Sequence, residues 1–427
     1  MTETTQGLAL PRRHIAAATI GNALDFYDFA IYATFAIQIG NAFFPAANPY
    51  QRLMLSLFGY GVGFVTRPVG GWFIGRYADR VGRKGAMVFT LTLTGLAVMA
   101  LALVPTYARI GIWAPVLVLA IRLVQGFALG AEVGSASSFL LEASAPKDRG
   151  LSVAWQGASQ GIAGALGAAV GYFLALYLSP ADFDAYGWRV AFLLGGLALP
   201  FGLVLRMALP ETLNTVEMRP AASTAPASFG LVLASWRIIL IGAIVFSTRT
   251  VGTYVFSYIT TYAQSTLHMA VSVSVAASVV SGGCVAIGVL IGGVLSDRIG
   301  RRPVMLWPNL VFLLATYPAF YWIVATRSTL ALWLGVAVLS LLNAIPAGGF
   351  YTAFTESLPK HIRGTTLSLT YAITIAIFGA TTQPAVTWLI QTTGNKLSPA
   401  WYLIVATALS QFAMMAIPES APAKRLT

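Results

Sequence analysis

The sequence predicts an all-α membrane protein of twelve spanning helices, arranged as two six-helix bundles. Three observations carry that prediction. Of the 427 residues, 57% are hydrophobic and only 9% are charged, whereas soluble domains are about 25% charged. A soluble core cannot absorb so much apolar sequence, but a bilayer can. Charged or Pro-rich joints cut the apolar sequence into twelve runs, most of them near the roughly 20 residues that cross a bilayer. Finally, two unrelated motifs recur between the first and second halves at nearly one offset.

The first run, 15–40, follows the basic pair Arg12 and Arg13, and Arg52 marks its joint with the second, 52–75. Arg76, Arg80, Arg83 and Lys84 separate the second run from the third, 86–105. Arg109 precedes the fourth, 111–141; Lys147 and Arg149 precede the fifth, 151–178; Arg189 opens the sixth, 189–210. The joint from Glu211 to Ser235 is the longest polar connection, and its PAASTAPAS stretch reads as a flexible linker. It divides the chain into an N-terminal bundle (1–210), a linker (211–234) and a C-terminal bundle (235–427). The second six runs are 235–263, 272–295, 304–326, 329–357, 364–390 and 399–418. Long runs must tilt or project into water.

Charge sets the expected orientation. Of 26 Lys and Arg residues, 18 fall at the termini and even-numbered joints and five at the opposite joints. The other three, Arg67, Arg122 and Arg249, lie within spans. By the positive-inside rule both termini are expected in the cytoplasm. The net charge of +12 is therefore a topology signal, and no nucleic-acid partner is expected. The single cysteine, Cys284, excludes an internal disulfide and a thiolate metal site. The first run is too long for a cleavable signal peptide, so none is expected.

GRYADRVGRKG (residues 75–85) and GVLSDRIGRRP (residues 293–303) share G-x3-D-R-x-G-R-[KR], and Asp79 and Asp297 stand 218 residues apart. LEASAPKDRG and TESLPKHIRG repeat at an offset of 214, placing Glu142 against Glu356 and Arg149 against Arg363. The halves thus read as parallel six-span repeats, a transporter architecture. The D-R-x-G-R-[KR] joints resemble the signature loop of the major facilitator superfamily. GNALDFYDFAIY, RLVQGFALGAEVG and YGWRVAFLLG resemble its metabolite:proton symporter branch. WAPVLVLAIRLVQG, AWQGASQ and the PAWYLIVA…PESAPA tail look most like the citrate and tricarballylate proton symporters. One departure is Asp25, where that branch is expected to carry Glu.

The resemblance implies a monomeric carrier in a bacterial inner membrane that imports an organic anion, citrate or a related tricarboxylate, with protons by alternating access. A dicarboxylate carrier, a carrier of a zwitterion such as proline or betaine, and an organic-anion exporter are the alternatives. A zwitterion carrier should need one Arg and an aromatic cage. A membrane sensor is disfavoured by the short linker and tails. No metal cluster, nucleophile elbow or phosphate loop is visible, so neither an enzyme nor a cofactor is expected.

Three acids lie well inside spans: Asp25, Asp28 and Glu132. A carboxylate at bilayer depth costs roughly 2.5–3.5 kcal/mol on insertion scales. These three are accordingly the candidates for proton coupling. Arg122 and Arg249 come from opposite halves, and two guanidiniums facing one cavity would clamp a multi-carboxylate anion. Arg122 is equally readable as the permanent partner of Asp25, Asp28 or Glu132. Arg67 is read as structural, snorkelling to the nearer interface. Gln125, Asn22, Tyr32, Gln156, Gln160, Tyr254, Tyr258, Asn343, Tyr351 and Tyr371 are candidate polar ligands, each equally readable as helix–helix glue. Gating is assigned to Asp79, Arg80, Arg83, Asp297, Arg298 and Arg301, with Glu142–Arg149 and Glu356–Arg363 as latch partners. Glycines spaced by four, such as Gly126, Gly130 and Gly134, or Gly157 and Gly161, mark close helix packing.

Overall fold

In lipid, each backbone N–H and C=O must find its partner within the chain, so an apolar sequence of this kind has helices as its solution. The structure, a computed structural model, describes residues 12–81, 83–130, 132–133, 137, 140–141, 144–207, 236–358 and 363–421. The linker 211–234 and Glu142 lie outside the described residues, as do the side chains of Asp25, Asp79, Arg80, Arg83 and Arg363. Among the described residues there are helices and turns and no strands.

Twelve helical spans follow the sequence order. The first six are α1 (Arg12–Thr34, continued by Ala36–Phe43), α2 (Pro49–Val65 and Arg67–Val81), α3 (Arg83–Leu103), α4 (Trp113–Ala128), α5 (Arg149–Tyr177) and α6 (Trp188–Leu197 and Leu199–Met207). The second six are α7 (Trp236–Ser257 and Ile259–Ser265), α8 (Val271–Ile299), α9 (Arg301–Thr326), α10 (Thr329–Ser357), α11 (Arg363–Thr374, a π-helical turn Ile375–Gly379, and Ala380–Thr393) and α12 (Ser398–Met415). Eight of them are long and apolar enough to cross a bilayer by length and composition. Of the other four, α1 and α2 are broken and carry charges, while α4 and α12 run 16 and 18 residues.

Local chemistry explains the ends and breaks. Asn48 caps α2 by accepting from the Gln51 N–H at 2.8 Å, and Pro49 fits the first turn, where no N–H is needed. α2 breaks at Thr66, just before Pro68, and the freed Thr66 hydroxyl donates to the Leu123 carbonyl of α4 at 2.7 Å. Ser328 caps α10 through the Ala331 N–H. Several helices run further than the apolar runs do: α2 continues to Val81 and α9 starts at Arg301. Backbone bonding within a helix does not depend on side-chain charge, so a helix passes from bilayer to water without a break.

The large exposed side chains, among them Phe58, Trp72, Leu103, Phe201, Trp307 and Phe412, point away from the bundles. Apolar exposure on this scale suits lipid rather than water as the surrounding solvent. Between the halves, α5 packs along α8 and α2 packs along α11. The α5–α8 seam is built on glycine. A Cβ on Gly161 would lie 2.5 Å from the Ala286 nitrogen, and one on Gly293 would lie 2.8 Å from the Gly150 carbonyl oxygen. On the other seam, a Cβ on Gly61 of α2 would lie 2.5 Å from the Ala380 carbonyl oxygen of α11. Gly126 and Gly130 of α4 meet the α2 backbone in the same way. The expected small-residue faces are therefore contact surfaces.

Gly161→Val should separate α5 from α8 and lower the melting temperature in detergent by several degrees, or prevent folding. Gly164→Ala faces a neighbour no nearer than 3.9 Å and should leave the melt unchanged.

Candidate functional site

A cavity of about 160 Å³ lies between the two halves. Its wall comes from α1, α2 and α5 on one side and from α7, α8, α10 and α11 on the other. Arg249 of α7 is the cation among the described lining residues, and no carboxylate lines the cavity among them. The Arg249 side chain is buried, and its Nη1 donates to Asn343 Oδ1 of α10 at 3.2 Å. Gly252, one turn on, lets Asn343 approach: a Cβ there would stand 2.6 Å from Asn343 Oδ1. A guanidinium fixed by one hydrogen bond keeps further donors for an anion.

Much of the remaining wall is aromatic or hydroxylated. Gln160, Tyr254, Tyr351 and Tyr371 line the cavity with Arg249 and Asn343, so six of the twelve candidate ligands come together here. The spacing of acids and cations had not singled out Tyr60, Phe246, Ser278 or Ser281, which also line it. Aromatic and hydroxyl side chains are common in buried helices, so no sequence anomaly marks these four. Gly157, Gly161, Gly164 and Gly282 both pack the seam and form one face of the cavity.

The other six candidates lie outside the lining. Arg122 is wholly buried in α4; its Nη1 donates to Asp28 Oδ2 at 3.1 Å and to Gln125 Oε1 at 2.6 Å. Its guanidinium carbon stands 4.3 Å from the centre of the Phe29 ring and 4.6 Å from that of Tyr32, with Tyr60 at 5.6 Å. Phe29 and Tyr60 also line the cavity, so the ion pair sits one aromatic layer behind its wall. Tyr32 donates to the Ser56 carbonyl oxygen at 3.1 Å. Asn22 donates to Ser159 and to the Gln156 carbonyl, joining α1 to α5. The Tyr258 hydroxyl accepts from Thr387 at 2.8 Å. Glu132 is buried in the segment that follows α4.

Arg67 departs from its expected behaviour. It does not snorkel: it is 1% exposed, with its guanidinium 4.6 Å from the Phe64 ring and 5.0 Å from the Phe29 ring. The break at Thr66 turns this residue inward at the head of the second α2 segment.

A cluster of charged side chains, the expected latch, joins α5, α8, α9 and α10 where α8 meets α9. Asp297, at the end of α8, accepts from the Gly150 and Leu151 N–H groups of α5 at 2.9 and 3.0 Å. Those are first-turn donors with no intrahelical partner, and the helix dipole favours a carboxylate there. Arg301 Nη1 holds the same carboxylate at 2.6 Å. Glu356 of α10 lies 3.6 Å from Arg301 and 3.8 Å from Arg149, so Arg149 of the first half reaches an acid of the second. Arg298 is exposed. On the opposite seam the second segment of α2, which carries Asp79, packs against the start of α11, which carries Arg363. The chain beyond α12 completes the latch: Glu419 accepts from the Arg301 and Arg302 N–H groups at 2.9 and 3.0 Å, and Ser420 donates to Glu356 at 2.6 Å. Burial pushes the Glu419 carboxyl up, but the N–H groups of Ala421, Arg301, Arg302 and Ser420 outweigh it and hold the carboxyl below its ordinary range.

The Major Facilitator Superfamily pattern matches residues 18–381. A citrate-proton symporter of Salmonella typhi is 35% identical over 393 residues, covering 92% of this chain and 90% of the relative. A proline/betaine transporter of Escherichia coli is 30% identical over 434 residues, covering 96% of this chain and 84% of the relative. Among solved structures, the proton:xylose symporter XylE of E. coli superposes with a TM-score of 0.78 at 17% identity, covering 96% of each chain, a likeness of fold.

Asp297→Ala should loosen the latch, so that a cysteine placed at Ala154, buried against Gly293, reacts with maleimide about ten times faster in a Cys284→Ser background than with Asp297 present, the factor expected for losing a charge-assisted hydrogen bond. The Glu419 cap has a depressed pKa in the folded protein. Its contribution is therefore full above the ordinary glutamate value of about 4.3 and is lost as pH falls through the lower folded value. Glu419→Gln should thus lower the melting temperature at pH 7 and lose that effect in strong acid.

Proposed function

The chain belongs to the Major Facilitator Superfamily, and from that premise we propose that this membrane transporter is a proton-coupled symporter importing an organic acid anion, citrate or a related tricarboxylate. The observation that carries the reading is Arg249, a buried guanidinium at the cavity wall with Asn343 beside it and no carboxylate among the described lining residues. Arg binds carboxylates through two parallel hydrogen bonds, and desolvation in the cavity strengthens them. The resemblance to citrate-proton symporters supports the substrate class.

Proton coupling is assigned to the acids of the N-terminal half, with Asp28 foremost and Asp25 and Glu132 as the other candidates. A proton on Asp28 would cancel its charge and weaken the bond to Arg122. Arg122, freed from its carboxylate, would then attract an anion across the Phe29 and Tyr60 layer. Proton and anion would thus occupy the site together, which is what symport requires. In this reading the latched end and both termini face the cytoplasm, an orientation supported by the asymmetry of basic residues. The closed latch then blocks cytoplasmic exit until the halves rock and the Asp297 and Glu356 bonds give way.

A second reading is favoured by a specific observation. Tyr60, Phe246, Tyr254, Tyr351 and Tyr371 surround a cavity with one described lining cation, an arrangement that suits a zwitterion whose carboxylate meets Arg249 and whose ammonium meets the rings. The relationship to proline/betaine transporters points the same way.

Reconstituted in liposomes, the protein should accumulate radiolabelled citrate several-fold faster with an inward proton gradient than without one. Gradient-independent uptake, or no uptake of any carboxylate tested, would sink the leading reading, and gradient-driven betaine uptake would favour the second. Asp28→Asn should abolish accumulation while retaining exchange of labelled for unlabelled substrate. Arg249→Gln should weaken substrate binding about 10- to 100-fold, the usual worth of a charged hydrogen bond, with the fold intact.

A further inference from the structure

Arg67 is a buried cation whose nitrogens, Nε, Nη1 and Nη2, make no well-formed hydrogen bond among the described residues. Arg122, by contrast, has Asp28 and Gln125. Asp28 lies within the field of Arg67, but its described side-chain bond goes to Arg122. Arg67 rests on the rings of Phe64, Phe29 and Phe26 at 4.6, 5.0 and 5.9 Å. Aromatic faces attract a guanidinium but offer no lone pair in the plane of its N–H groups. A side chain that almost always finds partners when buried is left here with its donor set open.

Its surroundings show where an acceptor would come from. Phe26 and Phe29 also line the cavity, as do Tyr254, which lies within the field of Arg67, and Tyr371, whose hydroxyl reaches the Arg67 guanidinium. Arg67 thus touches residues that line the space in which Arg249 sits. Phe29 lies against both Arg67 and Arg122 and also lines the cavity.

We propose that Arg67 is a second anion-binding group of this cavity, engaged past Phe29 by the far carboxylate of a substrate whose near carboxylate is held by Arg249. The proposal rests on the reading that the cavity takes a carboxylate, and it deepens that reading into a rule of selectivity. Anions with two or three carboxylates span both guanidiniums. A monocarboxylate reaches Arg249 alone. The charge of Arg67, bonded to no carboxylate among the described residues, is balanced when the longer anion arrives, and the fork geometry of the guanidinium fits a carboxylate edge-on.

The test is calorimetric binding of citrate and of propionate to the full chain in nanodiscs, with a thermal melt of each variant. Arg67→Gln should weaken citrate about tenfold or more, the scale of a lost charge-assisted pair, and leave propionate within twofold. Arg67→Lys keeps the charge without the fork and should fall between, and it carries the test if the Gln variant does not fold. Equal changes in both affinities, or a lower melting temperature with the affinity ratio unchanged, would overturn the proposal and leave Arg67 as a prop for the aromatic cluster. If the unaltered protein binds neither anion, the carboxylate reading of the cavity fails, and this inference falls with it.

Discussion

A guanidinium inside a bilayer must be answered by charge, by aromatic rings or by a ligand, and the arrangement of this protein follows from how each of its buried arginines is answered. Arg122 has a carboxylate at 3.1 Å and a glutamine. Arg301 has Asp297, Ser296 and Glu356. Arg67 rests among the described residues on phenylalanine rings with the Tyr371 hydroxyl in reach, and Arg249 has one amide oxygen facing a cavity. Removing one partner of a buried pair leaves the other charge uncompensated, at a cost of roughly 3–5 kcal/mol. Such pairs are therefore stiff until a proton or an anion exchanges for one member, which is the behaviour that a coupled carrier needs.

The latch works by a different economy. Its contacts are many, and several are partly wet. Arg149 is 34% exposed and lies 3.8 Å from Glu356, which by itself contributes little. The stronger element is Asp297 on the first turn of α5, because it binds two backbone donors that belong to the other half. A rocking motion must break those bonds together. Gly150 makes the approach possible, since a Cβ there would stand 2.6 Å from the Asp297 carboxylate.

Much of this was legible in the sequence. Twelve apolar runs became twelve helical spans, because hydropathy and backbone satisfaction are properties of segments and need no partner to be seen. The duplication drew attention to Asp297 and Arg301 for the same reason, since they belong to a local motif, and the structure joins them to α5 and to each other. The cavity was half legible. Arg249 and Asn343 stood out as polar groups at bilayer depth, and Tyr254, Tyr351 and Tyr371 as hydroxyls there. What a sequence cannot show is which face of a helix meets which neighbour. Arg122 and Arg249 both read as cations within spans, yet one turns toward α1 and meets Asp28 while the other turns toward the cavity. Arg67 looked able to reach water, but the break at Thr66 and the three phenylalanine rings hold it inside.

The segment after α12 has a consequence for anyone who handles this protein. Glu419 ties down the start of α9, and Ser420 reaches Glu356, so a few residues of irregular chain are stitched into the charged cluster that joins the two halves. A reporter joined just past residue 421 would hang from the contacts that Glu419 and Ser420 make with α9 and α10. Its bulk would pull on those contacts. Placement of a fusion at that end is thus a mechanical choice as much as a practical one.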